Sequence, residues 1–304
     1  MKTEGINHAF LDGVLSGAEP DVYYHLGVTS EDPLLEQLRG LRAIIMGGSG
    51  ARMKEFAQRW SDLNDGAQVL AFPKEDRFVT RYSAGVLFIS HGMGMPSASI
   101  AVQELMRLVY FVKRGDLAAL DEVFWARVGT SGGVGLPAGT VVVTTEGLMP
   151  DLRPYRVLKG NAGERWFECT FPAGVRDEIL RASAGSGISV TSGATVATSE
   201  FFLEQHRLDG AICIDDLESK MSWLQWLHEN GVKNIEMEGA MFAGCLNEWG
   251  FSKFAMICCT LLNRLEGDQV TSTPEQLHRY AENAGDVLFA YLVASLGTHS
   301  GEGN

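Results

Sequence analysis

No run of apolar residues in this 304-residue chain reaches the roughly 20 that a helix needs to span a bilayer. Met1–Pro20 lacks the basic start and apolar stretch of a secretory leader, so the expected compartment is the cytoplasm. Positive charge is scarce: 25 Lys and Arg face 38 Asp and Glu, for a net charge of -13. That balance argues against a nucleic-acid partner or an anionic membrane surface, both of which need a basic face. Single arginines remain able to bind a small anion. Cysteine is sparse and odd in number, and Cys169, Cys213, Cys245, Cys258 and Cys259 show no CxxC spacing. They fit reduced, mostly buried thiols better than a disulfide framework or a zinc site. No Pro/Ser-rich linker, charge block or internal repeat divides the chain.

With 45% hydrophobic residues, the chain can close a large core. The expected organisation is an N-terminal polar arm (1–20), one domain (21–297) and a short tail (298–304). Apolar strands are expected at 41–46, 123–128, 140–145, 189–197, 210–214 and 254–262, with an antiparallel pair at 77–82 and 86–91 around Ala84-Gly85. Helices are expected at 49–63, 97–109, 175–182, 217–230, 239–249 and from Thr273-Pro274 to about Leu296. The segment 147–185 reads as loops apart from its helix. Strands alternating with helices imply a three-layer α/β/α sandwich with a mixed central sheet.

Three familiar motifs fail on a physical requirement. The loop Gly47-Gly48-Ser49-Gly50-Ala51-Arg52 has no Gly-Lys-Ser/Thr ending, so it is not a nucleotide P-loop. His91-Gly92-Met93-Gly94 lacks the third glycine and the ribose acid of a dinucleotide fold. No Gly-x-Ser-x-Gly elbow exists for a serine hydrolase.

What the chain does carry is two strands that each run into glycines beside an arginine. One is the loop at Gly48 and Arg52; the other is Arg127-Val128-Gly129-Thr130-Ser131-Gly132-Gly133. Glycines let backbone N–H groups converge on a ligand, and a guanidinium suits phosphate. Either junction taken alone reads equally as a tight turn. In Glu236-Met237-Glu238, strand alternation puts both carboxylates on one side and the thioether on the other, ready for sugar hydroxyls; a helix start that favours acids gives the same pattern. Gln205 and Arg207, preceded by Phe201 and Phe202, match a ring edge of C=O, N–H, C=O, the edge of uracil. A surface loop would carry the same residues without that meaning.

Read in order, Tyr24–Thr29, Gly47–Met53, Ser90–Ser97, Arg127–Gly133, Gln205–Gly210, Asn234–Glu238 and Leu261–Gln269 resemble the nucleoside phosphorylase type I family, from about Tyr24 to Leu296. The resemblance implies reversible phosphorolysis of uridine to uracil and ribose 1-phosphate. It implies no organic cofactor, with inorganic phosphate as co-substrate. Gly48, Arg52, Arg127 and Thr130 match the phosphate site, joined by Arg77 from a neighbouring subunit. His25, also from the neighbour, matches a contact to the ribose 5′-hydroxyl, and Glu236, Met237 and Glu238 match the ribose segment. Phe201, Gln205 and Arg207 match the uracil pocket, with Arg264 behind them and Leu261 and Leu262 along its apolar side. Catalytic roles fall to Arg207, Gln205 and Glu238. His206 departs from the small or acidic residue associated with its position. The strand ending Cys258–Arg264 carries no aspartate, unlike the purine branch, so a purine phosphorylase or nucleosidase is the alternative enzyme and an inactive nucleoside-binding protein the other. A homodimer is expected, with a hexamer as the alternative. The family can hold a metal at a subunit interface, for which no ligands are assigned.

Overall fold

The computed structural model describes residues 6–17 and 20–298; the rest of the expected arm and tail lie outside the described residues. The chain groups into two compact units, one formed by the described residues of 1–126, 248–254 and 295–304, the other by 127–247 and 255–294. Both are built of strands and helices around mixed parallel and antiparallel pairings, the α/β class expected.

The first unit contains α1 (His8–Leu15), β1 (Val22–Tyr23), β2 (Val28–Thr29), α2 (Leu34–Gln37), β3 (Ala43–Gly47), α3 (Gly50–Asp62), β4 (Leu70–Ala71), β5 (Thr80–Ser83), β6 (Val86–Ser90), α4 (Met95–Val112), α5 (Leu117–Asp121) and the start of β7 (Phe124–Gly133). Strand β3 is buried along its whole length and pairs parallel with β6, which continues antiparallel to β5 and then β4. The β5–β6 turn is the expected one at Ala84-Gly85, where φ is +43 and +81. Those angles are what a two-residue hairpin between right-twisted strands requires. Helix α3 lays Met53, Phe56, Ala57 and Trp60 on the sheet, the face its sequence spacing dictates. Ser49 caps it by accepting from the Arg52 N–H. One expectation fails here: the arm is not merely polar, since α1 forms behind an Asn7 cap and buries Leu11 and Val14.

The second unit contains the remainder of β7, then β8 (Val141–Leu148), β9 (Tyr155–Leu158), β10 (Glu164–Phe167), α6 (Ala173–Ala182), β11 (Val190–Ala197), α7 (Leu217–Glu229), β12 (Val232–Glu236), α8 (Gly239–Trp249), β13 (Phe254–Asn263) and α9 (Pro274–Leu296). The chain passes between the units within β7, α8, β13 and α9. Strands run in the order β12-β11-β8-β13-β7, and β12 also pairs antiparallel with β7, which closes the five into a ring. Parallel pairing joins β12 to β11 and β11 to β8, while β13 runs antiparallel to β8. Helix α7 starts at a capping box of Asp216 and Ser219 and packs Leu224 and Leu227 against Val196, Val232 and Ile235.

Inside the ring a buried polar chain links all five strands. Thr144 Oγ1 meets Thr195 Oγ1 at 2.8 Å, Thr195 Oγ1 donates to Asn234 Oδ1 at 2.7 Å, Asn234 Nδ2 donates to Ser131 Oγ at 2.9 Å, and Ser131 Oγ reaches the Cys259 carbonyl at 3.5 Å.

Three further expectations are corrected. Gly129–Gly133 is not a loop but the continuation of β7, and these glycines have no positive φ. They serve close packing instead: a Cβ on Gly132 would lie 3.0 Å from Arg264 Cγ, and one on Gly133 would lie 3.0 Å from the Leu262 carbonyl oxygen. The stretch read as loops holds the antiparallel hairpin β9–β10. Residues 210–212 form bends and 213–214 are irregular rather than a strand; among the described residues no strand pairs with them, and Ile212 and Ile214 are exposed. All five cysteines are free thiols, as expected.

Candidate active site

In the second unit, β7 carries Arg127, β12 ends on Glu236, and Glu238 lies in the bend between β12 and α8. Both carboxylates meet the same guanidinium, and Met237 between them is half-buried. Arg127 Nη2 is 3.1 Å from Glu236 Oε2 and also bonds Glu238 Oε2, while Nη1 donates to Cys258 Sγ at 2.9 Å. Its Nε is buried without a hydrogen-bond partner among the described residues. Glu236 accepts from the N–H groups of Glu238 and Gly239 at 2.9 and 2.8 Å, at the start of α8, where unpaired helix donors favour negative charge. Burial pushes its carboxyl above the ordinary range, with the neighbouring Glu238 adding to the shift and Arg127 opposing it. Burial works against the Arg127 charge, but Glu238 and Glu236 outweigh it and hold the guanidinium firmly protonated. Burial likewise raises the Cys258 thiol, to about 12. One phosphate candidate and two ribose candidates therefore meet at a single buried ion cluster. Thr130 follows on β7, half-exposed.

A second cluster surrounds the loop after β11. Arg264 donates through Nη1 to Gln205 Oε1 at 3.2 Å and through Nη2 to the Gln205 carbonyl at 2.7 Å. A guanidinium only donates, so these bonds fix which end of the amide is oxygen. Gln205 Nε2 then donates to Thr198 Oγ1 at 2.9 Å, leaving one N–H and one lone pair for a ligand. Arg207 is held by Asp209 at 2.9 and 2.6 Å and donates from Nη2 to the Asp268 carbonyl at 2.9 Å. Its Nη1 makes none of these bonds, and its guanidinium lies 4.5 Å from the Phe201 ring centre. The Asp268 carboxylate accepts from Arg264 Nε at 3.0 Å, Lys220 Nζ at 2.8 Å and the Leu208 N–H at 3.2 Å. Burial tends to raise its carboxyl, but the bonds from Lys220 and Leu208 and the Arg264 charge bring it below the ordinary value. His206 takes a φ of +51, stacks on Trp223 with ring centres 4.6 Å apart and faces Asp215 at 3.1 Å. Leu261 and Leu262 lie half-buried near the end of β13.

The remaining sequence candidates lie in the first unit. Gly48 sits between β3 and the N-terminus of α3, where a Cβ would come within 2.9 Å of the Gly92 carbonyl oxygen, and Arg52 occupies the first turn of that helix. A helix start beside an arginine suits a bound anion. His25 is half-exposed, its Nδ1 2.7 Å from Glu104 Oε1, and Glu104 also accepts from the His25 and Leu26 N–H groups. Arg77 is exposed.

Four of these partners are not evident from the sequence. Asp268 lies inside the motif Leu261–Gln269, which makes it the easiest to find. Glu104 is a lone carboxylate among the buried Ala101, Val102, Leu105 and Leu108 of α4, a signal in itself. Thr198 and Lys220 carry no local signal.

The model of the phosphorylase superfamily matches residues 42–294. The chain belongs to that superfamily. Within it, the chain is 34% identical to the uridine and thymidine phosphorylase of Caenorhabditis elegans, over 90% of each chain. It is 30% identical to the inactive uridine phosphorylase B of Schistosoma mansoni, over 91% of this chain and 93% of that protein. Among solved structures of the superfamily, the uridine phosphorylase of Schistosoma mansoni in complex with uracil superimposes with a TM-score of 0.86 at 29% identity, covering 96% of this chain and 99% of the other. Among the described residues no helix is long and apolar enough to cross a membrane.

Proposed function

We propose that the chain is a uridine phosphorylase, catalysing the reversible phosphorolysis of uridine to uracil and ribose 1-phosphate. The observation that carries this reading is the orientation of Gln205 by Arg264 beside the anchored guanidinium of Arg207. Together they offer acceptor and donor groups matched to the C=O, N–H, C=O edge of uracil. Phe201 supplies an aromatic face, and Leu261 and Leu262 an apolar side. The kinship with phosphorylases of uridine and thymidine supports the same substrate class.

The chemistry needs no covalent nucleophile. A phosphate oxygen forms a bond to C1′ as the C1′–N1 bond breaks; the electron pair leaves on uracil, which takes up the proton that phosphate gives up. Catalysis consists of stabilising charge at both ends while holding the reactants in line. Arg207 stabilises the departing uracil and Gln205 fixes its orientation. Glu238, with Glu236 and Met237, orients the ribose. Gly48, Arg52, Arg127 and Thr130 hold phosphate, with Arg77 and His25 supplied by a second copy in a homodimer. No organic cofactor takes part, and the enzyme works in the cytoplasm.

An inactive relative at similar identity makes turnover the decisive test. The protein is incubated with uridine, with and without phosphate, and uracil and ribose 1-phosphate are followed. The expected result is formation of both only with phosphate. Uracil released without phosphate would indicate a nucleosidase, cleavage of inosine or adenosine alone a purine enzyme, and no turnover of any nucleoside a binding protein.

A further inference from the structure

Behind Gln205 and Arg207 the charges do not cancel. Arg207, Arg264 and Lys220 are joined by direct hydrogen bonds to only two carboxylates, Asp209 and Asp268. Other acids nearby do not join the network: Glu200 and Glu204 turn back on N–H groups of their own loop, and Asp215 faces His206. One excess positive charge is therefore fixed beside the groups that read the base. Lys220 supplies it from a site only 4% exposed. An Arg264–Asp268 pair without the lysine would be neutral and cheaper to bury, because each added ion loses its hydration.

We propose that Lys220 is a positioning residue for the leaving group: by occupying Asp268 it keeps the charge of Arg264 and Arg207 from being cancelled, so that the pocket favours uracil in its anionic, departing form. The inference rests on the uridine phosphorylase reading. Lys220 does not touch the base; it acts through Asp268, whose two carboxylate oxygens it shares with Arg264 and whose carbonyl binds Arg207. Positive charge placed where negative charge develops lowers the barrier most when the leaving group needs it most. The fluorine of 5-fluorouridine withdraws electrons and stabilises the departing base by itself, so that substrate depends less on the lysine.

The test measures kcat/KM for uridine and 5-fluorouridine in the full-length protein and in three variants. Lys220→Met makes the network neutral, Asp268→Asn adds a second excess positive charge, and Lys220→Met/Asp268→Asn restores one. The expected loss in Lys220→Met is about tenfold for uridine and about threefold for 5-fluorouridine, with KM for phosphate unchanged. The fluorouridine-to-uridine ratio should rise in Lys220→Met, fall in Asp268→Asn and return to the wild-type value in the double variant. If one variant does not fold, the order of the other two against wild type still decides. Equal losses for both substrates, or a ratio that does not follow network charge, overturns the proposal. A wild type that releases no uracil overturns the uridine phosphorylase reading and this inference together, whereas an active wild type with an unmoved ratio removes the inference alone.

Discussion

Replacing Arg127 by methionine keeps a long side chain in β7 but removes the cation that bonds both Glu236 and Glu238 in their buried cluster. The three residues are 6%, 4% and 3% exposed. Two buried carboxylates deprived of the counter-charge they share should cost about 3–5 kcal/mol of stability. The native state has one escape, which is to protonate Glu236, whose pKa burial and Glu238 already raise and Arg127 holds back. A folded pKa above the unfolded one means that the native state keeps a proton the unfolded chain has lost. Stability then falls as pH rises from the ordinary carboxylate range through the raised folded value, and the penalty is absent below that range. Removing Arg127 widens this window upward. The loss in Arg127→Met should therefore be greatest near about pH 8 and smaller near about pH 5.5, by about 1.4 kcal/mol for each unit that protonation recovers. Urea unfolding followed by tryptophan fluorescence measures both. Arg127→Met/Glu238→Gln, with one carboxylate fewer, should regain about half the loss and show a flatter pH dependence. A loss that is the same at both pH values, or below about 1 kcal/mol at the higher one, would refute the buried-charge argument.

Other consequences are as direct. Gly132→Ala presses a methyl group against the Arg264 stem at 3.0 and 3.2 Å; it should raise KM for uridine about tenfold and leave KM for phosphate unchanged, as initial rates with each substrate varied will show. Gly48→Ala meets the backbone carbonyl of Gly92 at 2.9 Å, where nothing flexible can give way, so KM for phosphate should rise and KM for uridine hold. Asn234→Ala leaves Thr195 and Ser131 without their shared partner inside the strand ring, and thermal or urea unfolding should report a loss of about 1–3 kcal/mol.

Much of this arrangement is legible where one local period decides it. The helical spacing of Met53, Phe56, Ala57 and Trp60 assigns a face without knowledge of the rest of the chain, and the expectation that Glu236 and Glu238 share a side agrees with their common contact to Arg127, although Glu238 lies past the end of β12. Legibility fails where composition and tertiary packing disagree. Gly129, Gly132 and Gly133 read as a flexible loop because glycine-rich segments usually are, yet β7 runs through them, and Gly132 and Gly133 leave room for the Arg264 stem and the Leu262 backbone. Ile212 and Ile214 read as strand from their apolar character, but no strand among the described residues pairs with that segment. The exposed, short hairpin β9–β10 offers too little hydrophobic contrast to stand out. At the site, the motifs point to the candidate residues and to Arg264 behind Gln205, but not to Thr198, Lys220 or Glu104, which hold residues of the site from elsewhere in the chain. Lys220 and Asp268 lie 48 residues apart in sequence, and Glu104 lies 79 from His25, so only the folded chain brings each pair together.

In the proposed reaction Gln205 and Arg207, held by Arg264 and by the Asp268 carbonyl, read and release the base. Steady-state kinetics of Arg207→Ala with uridine test this most directly. The expected result is a fall in kcat/KM of about 100-fold or more with KM for phosphate unchanged; a variant that keeps the wild-type kcat/KM would contradict these roles.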